Sequence, residues 1–263
     1  MARIIHIAIK VEDLESSTRF YEDVFGLRQT GTGHARGHVS RHMTDGDLDV
    51  ALMVYDNEEV HEAQLSGAGP CIHHWGIEVE DRDATVKLIE ANGGTIISKP
   101  GEGALKFRSP DGTVAEIVAA GRYKKREKTG ACRIVHLAIK VEDLEAATRF
   151  YENVFGFKQV TTGRNHQHIS RHITDGTFDL ALMVYDSEDA HEAQLAGPGP
   201  RIHHWGIEVD DRDGFSEKIA RHGGTILSKP ESMTIKFRAP DGTHAEIVRT
   251  GRYEKLKKHA ANA

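Results

Sequence analysis

The sequence predicts an α+β protein of two tandem domains, each made of paired βαβββ modules that form curved mixed sheets, four modules in all. Three observations predict it: a gap-free internal repeat, a strand followed by an amphipathic helix at the start of each module, and Gly- and Asp-rich turns between the short alternating segments that follow. The repeat is the strongest of the three. IIHIAIKVEDLESSTRFYEDVFG from Ile4 recurs as IVHLAIKVEDLEAATRFYENVFG from Ile134. HHWGIEVEDRD from His73 recurs from His203, and KFRSPDGTVAEIV from Lys106 recurs from Lys236, at the same offset. A repeat this long means duplicated whole domains rather than stacked solenoid units. The domains are assigned to residues 1–123 and 131–253, with the charged stretch 124–130 as a linker and 254–263 as a polar tail.

Within one copy, residues 4–10 alternate Ile5, Ile7 and Ile9 against His6, Ala8 and Lys10, the period of a strand with one face on a core. Asp13 is placed to cap a helix whose Leu14, Ser17, Thr18, Tyr21 and Phe25 share a stripe, and Gly26 to end it in a left-handed conformation. The next segment sets His38, Ser40, His42 and Thr44 against Val39, Arg41 and Met43, then turns at Asp45-Gly46 into a strand from Asp49 to Tyr55. A polar strand face with two histidines requires a wet cavity. After a Gly/Pro loop the theme restarts: Trp75, Ile77 and Val79 oppose His74, Gly76 and Glu78, and a helix from about Asp83 stops at Gly93-Gly94. Two strands follow, the first setting Leu105 and Phe107 opposite Lys106 and Arg108.

The bulk composition bounds the partners. The chain has 263 residues, 38% hydrophobic and 28% charged, enough for two domains with proper cores. A formal charge of -6 and a pI near 6.3 offer no basic field for nucleic acid or an anionic membrane, so small-molecule substrates are the expected partners. The stretch from Ile4 to Ile9 is too short and too polar for a signal peptide, and no run approaches transmembrane length. Cys71 and Cys132 are replaced by Arg201 and Ala2 in the other copy, which argues against a disulfide framework and fits a reducing cytoplasm. A homodimer is one assembly open to the chain.

The chemistry sits on strand faces. His6, His74 and Glu116 all fall opposite the apolar layer, and the second copy repeats them as His136, His204 and Glu246. A single strand histidine is usually a hydrogen-bonded structural residue, but two imidazoles and a carboxylate on one face, twice over, have the composition of a metal site with several coordination positions free. That donor set suits Fe(II), and also Mn(II) or Zn(II). Alternation turns His73 and His203 to the apolar face, as packing or supporting residues. Asp45, Asp47 and Asp49 lack the glycine of a calcium loop, and Gly31, Gly33 and Gly37 lack the spacing of a dinucleotide turn.

Taken together, the HIAIKVEDLE to FYEDVFG segment, the HHWGIEVED strand and the FRSPDGTxAEIV ending resemble the vicinal oxygen chelate superfamily over nearly the whole chain. That superfamily includes glyoxalase I, epimerases, fosfomycin-resistance thiol transferases, bleomycin-binding proteins and extradiol dioxygenases. The resemblance implies that His6, His74 and Glu116, with their second-copy counterparts, bind a divalent metal, Fe(II) first. A glyoxalase I would add a fourth protein ligand near the end of the Asp49 to Tyr55 strand, where Leu52 and Leu182 stand. An extradiol dioxygenase would carry a tyrosine ten residues before the glutamate, where Lys106 and Lys236 stand, and an active-site histidine near Asp49 and Asp179, a role His42 and His172 are expected to fill. Lys106 and Lys236 are expected to bind a substrate anion or act as a base. The resemblance thus implies an extradiol-type dioxygenase first, redox-neutral lyase, isomerase or thiol-transfer chemistry second, and ligand sequestration third. It leaves open whether His6 joins Glu116 of its own copy or Glu246 of the other.

Overall fold

The computed structural model describes residues 2–98, 104–123, 130, 132–165, 167–229 and 232–254. The expected linker, apart from Gly130, and the expected tail, apart from Glu254, lie outside the described residues. The first copy runs β1 (Arg3–Lys10), α1 (Leu14–Phe25), β2 (Arg28–Ala35), β3 (His38–Thr44), β4 (Asp49–Tyr55), a short helix α2 (His61–Gln64), β5 (Cys71–Val79), α3 (Arg82–Ala91), β6 (Thr95–Ile96), β7 (Leu105–Arg108) and β8 (Val114–Ala119). The second repeats it as β9 (Arg133–Lys140), α4 (Leu144–Phe155), β10 (Lys158–Asn165), β11 (His168–Thr174), β12 (Asp179–Tyr185), α5 (His191–Ala196), β13 (Arg201–Val209), α6 (Arg212–Arg221), β14 (Thr225–Ile226), β15 (Ile235–Arg238) and β16 (His244–Arg249). Among the described residues no helix is long and apolar enough to cross a membrane.

Each copy forms its own eight-stranded mixed sheet, in the order β2-β3-β4-β1-β5-β8-β7-β6 for the first. The two βαβββ modules of a copy join where β1 pairs antiparallel with β5, while each module closes through a parallel pair, β1 with β4 and β5 with β8. The helix ends follow local chemistry. Asp13 Oδ1 accepts from the Ser16 N–H at 2.9 Å, and Gly26 ends α1 at φ 68°, a left-handed conformation that costs glycine nothing. The second helix starts one residue earlier than expected, because Asp81 caps it by accepting from the Ala84 N–H at 2.9 Å.

Two β-bulges correct the simple alternation. Ile4 pairs with Ile77 and His6 with Gly76, so Ile5 is an extra residue on β1. It leaves the main core, where Ile4 takes its place, and packs with Ala104 and Val118. Ala8 pairs with His74 and Ile9 with Ile72, so His73 is an extra residue on β5. His73 therefore does not join the apolar face as expected but turns to the same side as His74, while Ile72 and Trp75 hold the core. The second copy bulges at Val135 and His203.

A single apolar core runs through both copies, from Ile7, Leu52 and Trp75 to Leu137, Leu182 and Trp205. The helices knit it. Tyr21 and Phe20 of α1 meet Trp205 and Phe237 of the other copy with ring centroids 5.5 and 6.3 Å apart, and Tyr151 and Phe150 of α4 meet Trp75 and Phe107 in return at 5.7 and 6.2 Å. Polar links follow the same pseudo-twofold logic. The Tyr21 hydroxyl donates to the buried Asp241 at 2.8 Å and Tyr151 to Asp111 at 2.9 Å. Asp45 accepts from the Ile134 N–H, and Asp175 from the Ile4 N–H, both at 2.7 Å. Because a buried carboxylate that loses a donor keeps its desolvation cost, Tyr21→Phe is expected to destabilise the protein by about 1–3 kcal/mol. Urea denaturation should show this loss in one transition covering both copies, since the core is shared; two separate transitions would contradict the shared core.

Candidate metal centres

Five residues stand directly opposite one another across five strands, on the face turned away from the core. Asp49 of β4 pairs with His6 of β1, His6 with Gly76 of β5, Gly76 with Glu116 of β8, and Glu116 with Lys106 of β7. In the second copy the same row reads Asp179, His136, Gly206, Glu246, Lys236. His74 stands two pairs further along β5, opposite Ala8, and completes the set. Strands lie about 4.8 Å apart, so His6 and Glu116 are about 10 Å apart at the backbone. Their side chains close that distance by reaching over a residue with no side chain: a Cβ on Gly76 would come within 2.8 Å of His6 Cβ and 3.3 Å of Glu116 Cγ. Gly206 meets His136 at 2.8 Å in the same way.

The hydrogen bonds fix which ring nitrogens face inward. The Glu62 carbonyl can only accept, so at 2.7 Å it takes the Nε2–H of His73. Burial pulls His73 down to about 4, so the ring is neutral and its Nδ1 is an acceptor. His74 Nδ1, at 2.8 Å, therefore donates to it, and His74 Nε2 is left as a bare lone pair. Burial, with the charge of Lys106, holds His74 neutral as well. Asp49 likewise takes the Nδ1–H of His6 at 2.7 Å, which leaves Nε2 to face the set. Burial works against ionising Glu116, but the positive charge beside it, with Lys106 at 3.9 Å, outweighs it and holds the carboxyl well below its usual range.

Lone pairs thus converge without a proton between them. His74 Nε2 faces Glu116 Oε2 at 3.4 Å, and the three donor atoms of each copy all lie within 4.8 Å of one another. Such an arrangement is repulsive until a cation enters it, and two imidazoles with one carboxylate are a fitting donor set for a divalent metal. His6, His74 and Glu116 would hold one ion, and His136, His204 and Glu246 another, each within a single sheet. His136, His172 and Asp179 also cluster, but there Asp179 already accepts from both rings, which makes that group a hydrogen-bonded support.

Beside the first set lies a cavity of about 540 Å³ lined by Thr30, Gly31, His42, Thr44, Asp47, Leu48, Asp49, Arg122 and Tyr123. His42 donates through Nδ1 to Asp49 at 2.8 Å, so one carboxylate supports both His6 and His42. Burial lowers the His42 pKa, but Asp49 more than compensates and raises it above the ordinary imidazole value. Lys106 takes the opposite side. Its ammonium pairs with Glu62 at 2.7 Å and lies 3.9 Å from Glu116, and Lys236 pairs with Glu192 at 2.7 Å. Lys10 in turn ties the α2 loop down through the Gly67 and Ala63 carbonyls at 2.7 and 3.2 Å.

Leu52 and Leu182 are buried in the core and do not face the set. The positions of β4 that share its face beyond Asp49 are Ala51 and Met53, which pack with Ala8, and Tyr55, whose hydroxyl lies 3.1 Å from His73 Nε2, so none of them joins the three-donor set. The sequence reading missed Tyr123 and Tyr253, whose rings stack on His6 and His136 with centroids 4.8 and 5.3 Å apart. Burial beside Glu116 and Asp49 pushes the Tyr123 phenol far up, so it stays protonated. Their signal was the repeated Gly-Arg-Tyr at 121–123 and 251–253.

A family model described as the Glyoxalase/Bleomycin resistance protein/Dioxygenase superfamily matches residues 3–117 and again 133–247. A probable chloroplastic lactoylglutathione lyase of Arabidopsis thaliana is 25% identical over 281 residues, covering 94% of this chain and 72% of its own. A lactoylglutathione lyase of Neisseria meningitidis is 28% identical over 131 residues, covering 44% of this chain and 89% of its own. A triple variant of 4-hydroxymandelate synthase from Streptomyces coelicolor superposes with a TM-score of 0.73 at 15% identity, covering 94% of this chain and 92% of that one.

Two outcomes are expected of these centres. Metal analysis after Mn(II) loading should find half the wild-type content in His6→Ala and none in His6→Ala combined with His136→Ala; an unchanged content would remove these residues as ligands. Gly76→Ala in the His136→Ala background should weaken the remaining site by about 10–100-fold in a competitive chelator titration while the thermal transition persists.

Proposed function

The chain belongs to the Glyoxalase/Bleomycin resistance protein/Dioxygenase superfamily, and from that premise we propose that it is a divalent-metal-dependent oxygenase of the extradiol type. Its favoured metal is Fe(II), and its substrate is a small molecule with two adjacent oxygens. The observation that carries this reading is the three-donor set with no fourth protein ligand on β4, because a facial pair of histidines with one carboxylate leaves positions free for both a chelating substrate and dioxygen. When bound there, Fe(II) would supply electrophilic activation of the substrate oxygens and the one-electron chemistry that dioxygen requires.

The chain's own residues do the rest. The substrate enters the cavity between His42 and Tyr123. His42, oriented through Nδ1 by Asp49, has its other nitrogen turned to take the proton of a substrate hydroxyl. Asp49 keeps both imidazoles in the required orientation. Lys106 and Glu62, paired over the far side of the row, exclude water there and steady Glu116. The paired ammonium makes Lys106 a supporting charge in this reading, and leaves the base to His42.

A second reading, redox-neutral lyase or isomerase chemistry, is favoured by the polar cavity wall of Thr30, Thr44, Asp47 and Arg122 and by the similarity to lactoylglutathione lyases. In it the same His42–Asp49 pair would move a proton at carbon. Anaerobic Fe(II) reconstitution followed by oxygen-uptake assays on catechols and on 2-oxo and 2-hydroxy acids separates the two. Oxygen consumption with at least one substrate is expected. Turnover under argon with Mn(II), Zn(II) or Mg(II), and none dependent on oxygen, would sink the oxygenase reading. In either chemistry His42→Ala, with the second centre disabled by His136→Ala, should lower kcat by about 10²–10⁴ with bound metal unchanged.

A further inference from the structure

Where the two copies meet, a smaller cavity of about 120 Å³ opens between the first strands of their sheets. Its wall is made of Arg3, Ile4, Asp47 and Leu48 of the first copy and the same four positions of the second, where Thr177 stands for Asp47 and Phe178 for Leu48. Because each wall position comes once from each copy, the cavity straddles the pseudo-twofold axis. No donor of either metal set lines it, nor does His42 or His172. Liquid water would fill it with about four molecules, which is room for one tetrahedral oxyanion.

The two arginines of this wall are left without acceptors. Arg3 stands directly opposite Glu78 across β1 and β5, and Arg133 opposite Glu208 across β9 and β13, a register in which opposite charges ordinarily pair. Both carboxylates are turned elsewhere: Glu78 accepts from the Gly121 N–H at 2.6 Å and Glu208 from the Gly251 N–H at 2.8 Å. The carboxylates that cross the axis are occupied as well. Asp45 accepts from the N–H groups of Asp47, Leu48 and Ile134, and Asp175 from those of Thr177, Phe178 and Ile4. Nε of Arg3 and Nε of Arg133 are consequently closed off from solvent with no hydrogen-bond partner among the described residues. A buried donor without an acceptor is uncommon in a folded protein, and two at equivalent positions beside one cavity point to a ligand. Asp47, the one acid in the wall, is itself partnered and offsets no more than one of the two positive charges.

We propose that Arg3 and Arg133 form an oxyanion site between the two copies, separate from both metal centres, that takes inorganic phosphate or the phosphoryl group of a small phosphomonoester. Guanidinium forks donate charge-assisted hydrogen bonds to phosphate oxygens from fixed planes. Two forks related by an axis suit a tetrahedral anion with oxygens on every side, whereas a single fork already satisfies a flat carboxylate. The bound anion neutralises like charges that the fold brings together, and so ties the first strand of one sheet to the first strand of the other.

The site needs neither a metal nor turnover, so it is tested on the full chain stripped of metal by a chelator. Calorimetric titration with inorganic phosphate at constant ionic strength is expected to find one ion per chain, with the same affinity when both metal sets are disabled by His6→Ala and His136→Ala. Arg3→Gln and Arg133→Gln should each weaken binding about tenfold or more. Arg3→Lys, which keeps the charge and loses the fork, should fall between wild type and Arg3→Gln. Phosphate should also raise the thermal midpoint of the wild type and leave that of the double glutamine variant unmoved, its midpoint without phosphate serving as the check that it folds. Undiminished binding in either glutamine variant would overturn the proposal, and so would the absence of binding at millimolar phosphate. Binding lost with His6→Ala and His136→Ala would place the anion at the metal sets and overturn it as well. Phenyl phosphate as a second titrant separates the sources: binding of both assigns the site to a phosphoryl group carried by a larger molecule, and binding of inorganic phosphate alone assigns it to the free ion.

Discussion

The spacing of a β-sheet governs this protein's chemistry. Side chains two strands apart start about 10 Å from each other, too far to share one ion unless the strand between them offers nothing in the way. Gly76 and Gly206 meet that condition, and everything else in the row follows from it. With the gap open, His6 and Glu116 lean together, and His74 reaches in from two residues before Gly76 on β5. The row then extends outward to Asp49 on one side and Lys106 on the other, so each ligand has a partner of complementary character at the next strand.

Those partners convert a cluster of polar groups into a set of directed lone pairs. The Glu62 carbonyl dictates the tautomer of His73, and His73 dictates that of His74, so a backbone atom of the short helix α2 decides which nitrogen a metal would meet. The carboxylate of the same Glu62 neutralises Lys106. One residue therefore touches the centre twice, and Lys10 secures its helix from the end of β1. The cost of burying these polar atoms is offset where donors and acceptors are matched, as along Glu62, His73 and His74.

Duplication gives the molecule two such centres but not two independent cores. Each sheet completes its own ligand set, yet covers its apolar face partly with a helix from the other copy, and the Asp45 and Asp175 turns cap backbone groups across the pseudo-twofold. Each donor set is local to a sheet, whereas the apolar core is common to both. One cavity wall varies between the copies, as where Thr30 and Gly31 give way to Val160 and Thr161, and so does the edge of the interface, where Phe215 stacks on Phe25 but its counterpart is Thr85, while the residues of the row recur unchanged.

Much of this was legible in the sequence by itself. The repeat determined the number of units, Asp13, Gly26 and the Asp-Gly turn determined where helix and strands end, and alternation placed His6, His74 and Glu116 on one face, because these features depend on residues close together in the chain. What lay beyond it depended on cross-strand register and distant partners. The bulges at Ile5 and His73 exist only when two strands pair, so simple alternation sent both to the wrong side. Leu52 stands in the sequence where a glyoxalase I carries its fourth ligand, but pairing with β1 and β3 turns Ala51 to the site's face and Leu52 to the core. Lys106 read as a free cation because Glu62, its partner, is 44 residues away, and Tyr123 had no visible role until the turn after β8 laid it on His6. Only tertiary structure decided that each centre closes within its own copy, since the order of strands in a sheet is set by packing that no single strand records.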